Sequence, residues 1–123
     1  MSVALPRLIA HRLGRDYGVD SSASALEGAL RGPVDGLETD VCLTFDGGLV
    51  LLHDPLLSIG TTLEGWAHER TAAELRGARL RSREGAPSDE RPLFVEDLLE
   101  AAPPELTIQL EVKAHSDARL AAG

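Results

Sequence analysis

The sequence predicts an α/β domain built on a parallel sheet, and three observations carry that reading. A short apolar strand, a helix and a second strand follow one another at the start of the chain, which is how a parallel α/β sheet begins. Residues 36–43 and 106–113 both alternate apolar and polar side chains with the period of two that marks a strand. The 123 residues, 43% of them hydrophobic, suffice for one small domain with a core of its own. No repeat, low-complexity segment or second domain interrupts the chain.

Residues 8–11 (Leu-Ile-Ala-His) read as a strand that ends on His11-Arg12 and gives way to a loop through Gly14, Asp16, Tyr17 and Gly18. Ala23, Leu26, Ala29 and Leu30 then recur at helical spacing behind the capping candidates Asp20, Ser21 and Ser22. Gly32-Pro33 ends that helix near Arg31. In the next strand Leu37, Thr39, Val41 and Leu43 share one face, and Glu38, Asp40 and Cys42 the other. Asp46-Gly47-Gly48 is a turn signal, and the apolar run 49–52 behind it stops at His53-Asp54-Pro55. Together these form two strands joined by a turn.

The middle of the chain is less regular. Residues 56–67 read as a loop, residues 71–75 as a short capped helix, and residues 76–91, with five Arg, as an exposed loop. A further helix is expected from about Val95 to Ala102, closed by Pro103-Pro104. In the last strand Ile108, Leu110 and Val112 oppose Gln109, Glu111 and Lys113. A final helix is expected from Ser116 or Asp117 onward.

The formal charge of −8 argues against nucleic acid as a partner, because phosphate backbones are held by clustered Lys and Arg. A cation is better suited. No charged leader followed by an apolar stretch is visible, nor any run of membrane-spanning length, and the expectation is a cytoplasmic protein. A single cysteine, Cys42, can form neither an intramolecular disulfide nor a zinc cluster, and reads as a buried strand residue. Lys113 is the one Lys against 11 Arg, which marks a position where a compact ammonium differs from a guanidinium.

If the strands converge, His11, Arg12, Glu38, Asp40, His53, Glu111 and Lys113 meet at one end of the sheet. Three carboxylates offer the oxygen donors that hard cations prefer, favouring Mg²⁺ or Ca²⁺ over Zn²⁺. Two imidazoles can divide acid and base work near neutral pH. Arg12 and Lys113 suit a phosphate, so the set describes metal-assisted phosphodiester hydrolysis. Each residue alone has a plainer reading: Glu38, Asp40, Glu111 and Lys113 as the wet face of a sheet, and His11, His53 and Arg12 as ordinary surface groups. His68 and His115 keep that plainer reading.

The ordered motifs Ile9-Ala10-His11-Arg12, Glu38-Thr39-Asp40-Val41, Thr44-Phe45-Asp46-Gly47, His53-Asp54-Pro55, the segments 71–75 and 92–98, and Glu111-Val112-Lys113 resemble the N-terminal half of the glycerophosphodiester phosphodiesterase family. The resemblance implies a TIM (β/α)8 barrel, of which about the first half is present, with the site at the C-terminal strand ends. It implies hydrolysis of a glycerophosphodiester to glycerol 3-phosphate and an alcohol. By position, His11 and His53 fall on the acid/base pair, Glu38, Asp40 and Glu111 on the divalent-metal ligands, and Arg12 and Lys113 on the phosphate contacts. Asp20 stands where the family has Glu and is expected to support the contacting residues from behind. Leu13 stands where the family has Gly, which predicts a bulky side chain where the backbone would otherwise approach the ligand. Other readings of the chain are a related phospholipase with another headgroup and an inactive barrel fragment serving as an interaction module. Unpaired strand edges in a half barrel further predict association of the chain with itself.

Overall fold

Gly36 begins the central strand because nothing larger fits there: a Cβ at this position would lie 2.6 Å from the Thr107 carbonyl oxygen and 2.7 Å from Ile9 Cδ1. The strands on either side therefore approach it closely. The computed structural model describes residues 8–15 and 18–113. Strand β1 (Ile9–Ala10) leads through a tight turn at His11–Leu13 to helix α1 (Ala23–Arg31) and strand β2 (Gly36–Leu43). Strand β3 (Leu49–Leu51), helices α2 (Leu57–Gly60), α3 (Ala72–Arg76) and α4 (Val95–Ala101), and strand β4 (Thr107–Val112) follow. The final helix expected beyond residue 115, with His115, Asp16 and Tyr17, lies outside the described residues.

β1 and β4 pair in parallel with opposite edges of β2, since Gly36 and Leu37 are matched by Ile9 and Ala10 on one side and by Thr107 and Ile108 on the other. β3 turns back antiparallel along the far part of the β1 edge, opposing Leu51 to Val41 and Leu49 to Leu43. The parallel sheet expected from the sequence is thus three strands with a hairpin strand appended. Among the described residues no strand pairs with the outer edge of β4, and Leu110 on β4 and Leu99 on α4 are exposed.

Helix α1 starts where Ser22 Oγ accepts the Ala25 N–H at 3.1 Å, satisfying one of the donors that a helix start leaves open. Its buried stripe of Ala25, Leu26 and Ala29 packs with Leu37 and Val41 of β2 and with Leu98 of α4. A second cluster under the hairpin joins Cys42, Val50 and Leu52 to Leu57, Ala67, Leu75, Leu80 and Phe94. Cys42 is buried, as expected.

This second cluster corrects the reading of the middle region. The stretch expected as a loop at 56–67 contains α2, and residues 76–91 are not simply an exposed loop. Ala78 and Leu80 are buried, Leu80 bridges to Thr61, and Arg81 Nε donates to the Thr61 carbonyl at 2.8 Å. Two apolar side chains two residues apart anchor the segment, with Arg76, Arg79, Arg83 and Arg91 exposed and Arg81 half-buried.

The hairpin turn is tied to α3. Thr44 Oγ1 donates to Asp46 Oδ1 at 2.7 Å, and the same oxygen accepts the Ala72 N–H at 2.9 Å. These bonds, the one from Thr44 first, hold the Asp46 carboxyl below its ordinary value of 3.8. A depressed carboxyl stabilises the fold above its unfolded pKa and loses that contribution as pH falls through the folded value. Wild-type chain is therefore expected to exceed Asp46→Ala in urea midpoint at pH 7, with the gap closing below pH 3.8.

At Leu13 the expectation from the sequence fails. Its side chain does not face a ligand but is fully buried in the main core. The backbone reaches that position through left-handed conformations at Arg12 (φ 48°), Leu13 (φ 62°) and Gly14 (φ 108°). A left-handed Leu costs about 1–2 kcal/mol, and deleting a buried Leu side chain costs about 2–5 kcal/mol. Packing outweighs strain, so Leu13→Gly is expected to destabilise the chain by about 1–3 kcal/mol in urea denaturation.

Candidate active site

Period-two alternation puts Glu38 and Asp40 on one face of β2, and the parallel register sets Asp40 beside Glu111 and Glu38 beside Gln109. Three carboxylates converge as a result, each offering an oxygen, with these oxygens all within 4.8 Å of one another. Asp40 is 1% exposed, whereas the Glu111 side chain is 66% exposed, so the cluster runs from the sheet interior to solvent.

Such a cluster repels itself unless positive charge is near. Lys113, just past β4 on the same face as Glu111, places Nζ 3.0 Å from Asp40 Oδ1 and 3.8 Å from Glu111 Oε1. Burial alone would push the Lys113 ammonium down, but its hydrogen bond to Asp40 and the charges of Asp40 and Glu111 outweigh this and hold it above 10.5. Asp40 Oδ2 is buried and has no hydrogen-bond partner. A buried carboxylate oxygen left so is costly, and a cation meets its demand. The donor set fits a hard divalent ion: ligand oxygens at about 2.0–2.6 Å from a shared ion lie no more than about 5 Å apart.

His11 and Arg12 follow β1, whose register places them next to Glu38. His11 Nε2 lies 3.4 Å from Glu38 Oε1, and the Arg12 N–H donates to that oxygen at 3.1 Å. The left-handed turn allows this contact while Arg12 sends its guanidinium to Asp20, donating from Nη1 to Oδ2 at 2.8 Å. Arg15 Nε sits 3.2 Å from Asp20 Oδ1. Asp20 thus orients two arginines and stands behind Arg12, away from the three carboxylates.

His53 follows β3, and its Nδ1 lies 3.3 Å from Asp54 Oδ2. It lines a cleft together with Arg12 and Asp20, and the three carboxylates do not line that cleft. Three of the other sequence-derived residues therefore gather around the three carboxylates, His11, Lys113 and, through its backbone, Arg12, while His53 lines the neighbouring cleft that Arg12 shares. His68 stacks near Trp66, with ring centroids 6.3 Å apart. Sequence reasoning missed Arg15, Asp54, Arg81 and Arg83, which also line the cleft. The charged neighbours of the His11 and His53 motifs were the available signal for the first two; the other two lay in the stretch read as a loop.

A model of the glycerophosphoryl diester phosphodiesterase family matches residues 11–120, nearly the whole chain. The chain belongs to this family. Mouse glycerophosphodiester phosphodiesterase 1 is 31% identical over 118 residues, covering 93% of the chain and 36% of that protein. An uncharacterized Bacillus subtilis protein, YqiK, is 30% identical over 111 residues, covering 89% and 46%. In structure the chain is similar to a glycerophosphoryl diester phosphodiesterase from Parabacteroides distasonis, with TM-score 0.78 and 27% identity over 96% of the chain and 43% of the neighbour. A phosphodiesterase from Oleispira antarctica, in complex with the product sn-glycerol-3-phosphate, gives TM-score 0.74 and 27% identity over 89% and 45%. The chain spans less than half the length of these relatives. The solved neighbours are TIM barrels, and the three parallel strands with their helices are part of one. No helix among the described residues is long and apolar enough to cross a membrane.

Proposed function

We propose that this phosphodiesterase-family chain carries the metal-binding and proton-transfer groups for hydrolysis of a glycerophosphodiester to glycerol 3-phosphate and an alcohol. The observation that carries the reading is the meeting of three carboxylates, one of which, Asp40, also has a buried oxygen with no hydrogen-bond partner. Glu38, Asp40 and Glu111 hold Mg²⁺ or Ca²⁺. When bound, the ion withdraws charge from a phosphoryl oxygen as a Lewis acid. Arg12 and Lys113 hold the phosphate by charge-assisted hydrogen bonds, and Asp20 keeps Arg12 oriented. His11 and His53 divide the proton work: one imidazole takes the proton of the attacking oxygen, and the other gives a proton to the departing alcohol as its P–O bond breaks.

Glycerol 3-phosphate release from glycerophosphodiesters by the 123-residue chain tests the reading. Release with Mg²⁺ or Ca²⁺, abolished by chelator and restored by adding the ion back, is expected. Equal release with and without chelator would sink the metal role.

A second reading, self-association, is favoured by the outer edge of β4 and the exposed Leu110 beside it. Light scattering behind size exclusion reads it directly, and a folded monomer would refute it.

A further inference from the structure

Thr39 lies on the face of β2 turned away from Glu38 and Asp40, between Leu37 and Val41 of the main core, and is fully buried. A hydroxyl is costly there unless it is hydrogen-bonded. Its partner is Ser21, 4% exposed, whose Oγ lies 2.8 Å from Thr39 Oγ1, so that one hydroxyl donates to the other. Ser21 reaches that position with a left-handed backbone, φ 56°. Among the described residues the other non-glycine residues with positive φ are Arg12 and Leu13. The two left-handed segments are joined. The Ser21 N–H donates to the Arg12 carbonyl oxygen at 2.8 Å, and Asp20, one residue earlier, accepts from the Arg12 guanidinium at 2.8 Å. A left-handed backbone at Arg, Leu and Ser is costly and persists only where the surroundings enforce it.

We propose that the Ser21 and Thr39 hydroxyls form a buried latch that positions Arg12 for phosphate binding. The inference rests on the hydrolytic reading above and adds to it two positioning residues that act through Arg12. Residues 20 and 21 hold Arg12 at both ends, Asp20 at the guanidinium and the Ser21 N–H at the carbonyl oxygen. The hydroxyl pair ties this hold to β2 at the residue between Glu38 and Asp40. The Arg12 N–H in turn meets Glu38 Oε1 at 3.1 Å, so one strand sets the arginine from one face and the carboxylates from the other. The helix start does not call for the pair, because Ser22 Oγ already caps α1. Nor does the core: a valine would fill the Thr39 position with nearly the same shape and no hydroxyl to satisfy.

Isothermal titration of glycerol 3-phosphate into the 123-residue chain, with Mg²⁺ present, reads the latch without turnover, and urea denaturation of the same variants reads stability. Thr39→Val keeps the side chain's shape and removes the hydroxyl; Thr39→Ser keeps the hydroxyl and removes a methyl group. Both are expected to lower the urea midpoint. Only Thr39→Val is expected to weaken glycerol 3-phosphate binding, by about tenfold, with Thr39→Ser staying within about twofold of wild type. Ser21→Ala should match Thr39→Val, and the double substitution should bind no more weakly than either single one, because the two hydroxyls act as a unit. Thr39→Ser weakened as much as Thr39→Val would mean that affinity merely follows stability, and would overturn the proposal. So would full affinity in Ser21→Ala, or no binding of glycerol 3-phosphate by the wild-type chain. The two levels separate. A chain that shows the expected pattern but never releases glycerol 3-phosphate from glycerophosphodiesters refutes the hydrolytic reading alone; one that releases it, with Thr39→Val and Thr39→Ser equal in affinity, refutes the latch alone.

Discussion

Asp40→Asn is expected to lower glycerol 3-phosphate release by about three orders of magnitude and to weaken Mg²⁺ or Ca²⁺ binding by about a hundredfold or more. The substitution keeps the side chain's shape and removes a charge at the most buried point of the cluster. It also removes the negative charge, though not the oxygen acceptor, from the partner that Lys113 holds at 3.0 Å. Breaking a fully buried pair costs about 3–5 kcal/mol, but the Lys113 side chain is 17% exposed and has Glu111 in reach, so the loss here is smaller. Circular dichroism of the variant reports whether the fold survives. Glu111→Gln provides the second arm: its side chain is largely exposed, so weaker ion binding there cannot come from unfolding. Undiminished ion affinity in both variants would remove the carboxylates from the metal site.

The second large effect belongs to the imidazoles. His11→Ala and His53→Ala are each expected to reduce turnover about 10²- to 10⁴-fold, with ion affinity changed far less than in Asp40→Asn. Both side chains are substantially exposed, 58% and 40%, so neither change removes core packing. An acid and a base acting together give a bell-shaped dependence of kcat/KM on pH. Residual activity should keep one limb of the bell in His11→Ala and the opposite limb in His53→Ala. Loss of the same limb in both, or of neither, would contradict the division of roles.

The charged face of β2 and β4 was legible because a strand's period of two fixes which side chains share a face, whatever the partner strand. The register was not legible. That Asp40 sits opposite Glu111, and Leu37 opposite both Ala10 and Ile108, depends on pairing between strands far apart in the chain. The helix α1 was visible through its cap and stripe, with Ser22 among the capping residues expected. The strand expected to run to His11 stops at Ala10, because the next three residues adopt a turn that no local rule assigns to Arg and Leu. For the same reason Leu13 read as an obstruction in the site, while the left-handed backbone carries it into the core. In residues 76–91 the five arginines outweighed Leu80 and Ala78 as a signal, although those two fix where Arg81 and Arg83 stand.

The central claim is that Glu38, Asp40 and Glu111 form one divalent-cation site. Amide chemical shifts of the isotope-labelled chain, followed during titration with Mg²⁺ and then Ca²⁺, test it most directly. Saturable changes concentrated at residues 38–41 and 110–113, reversed by chelator and absent in Asp40→Asn, are expected. Changes scattered over the acidic surface without saturation, or none at residues 38–41 and 110–113, would contradict it.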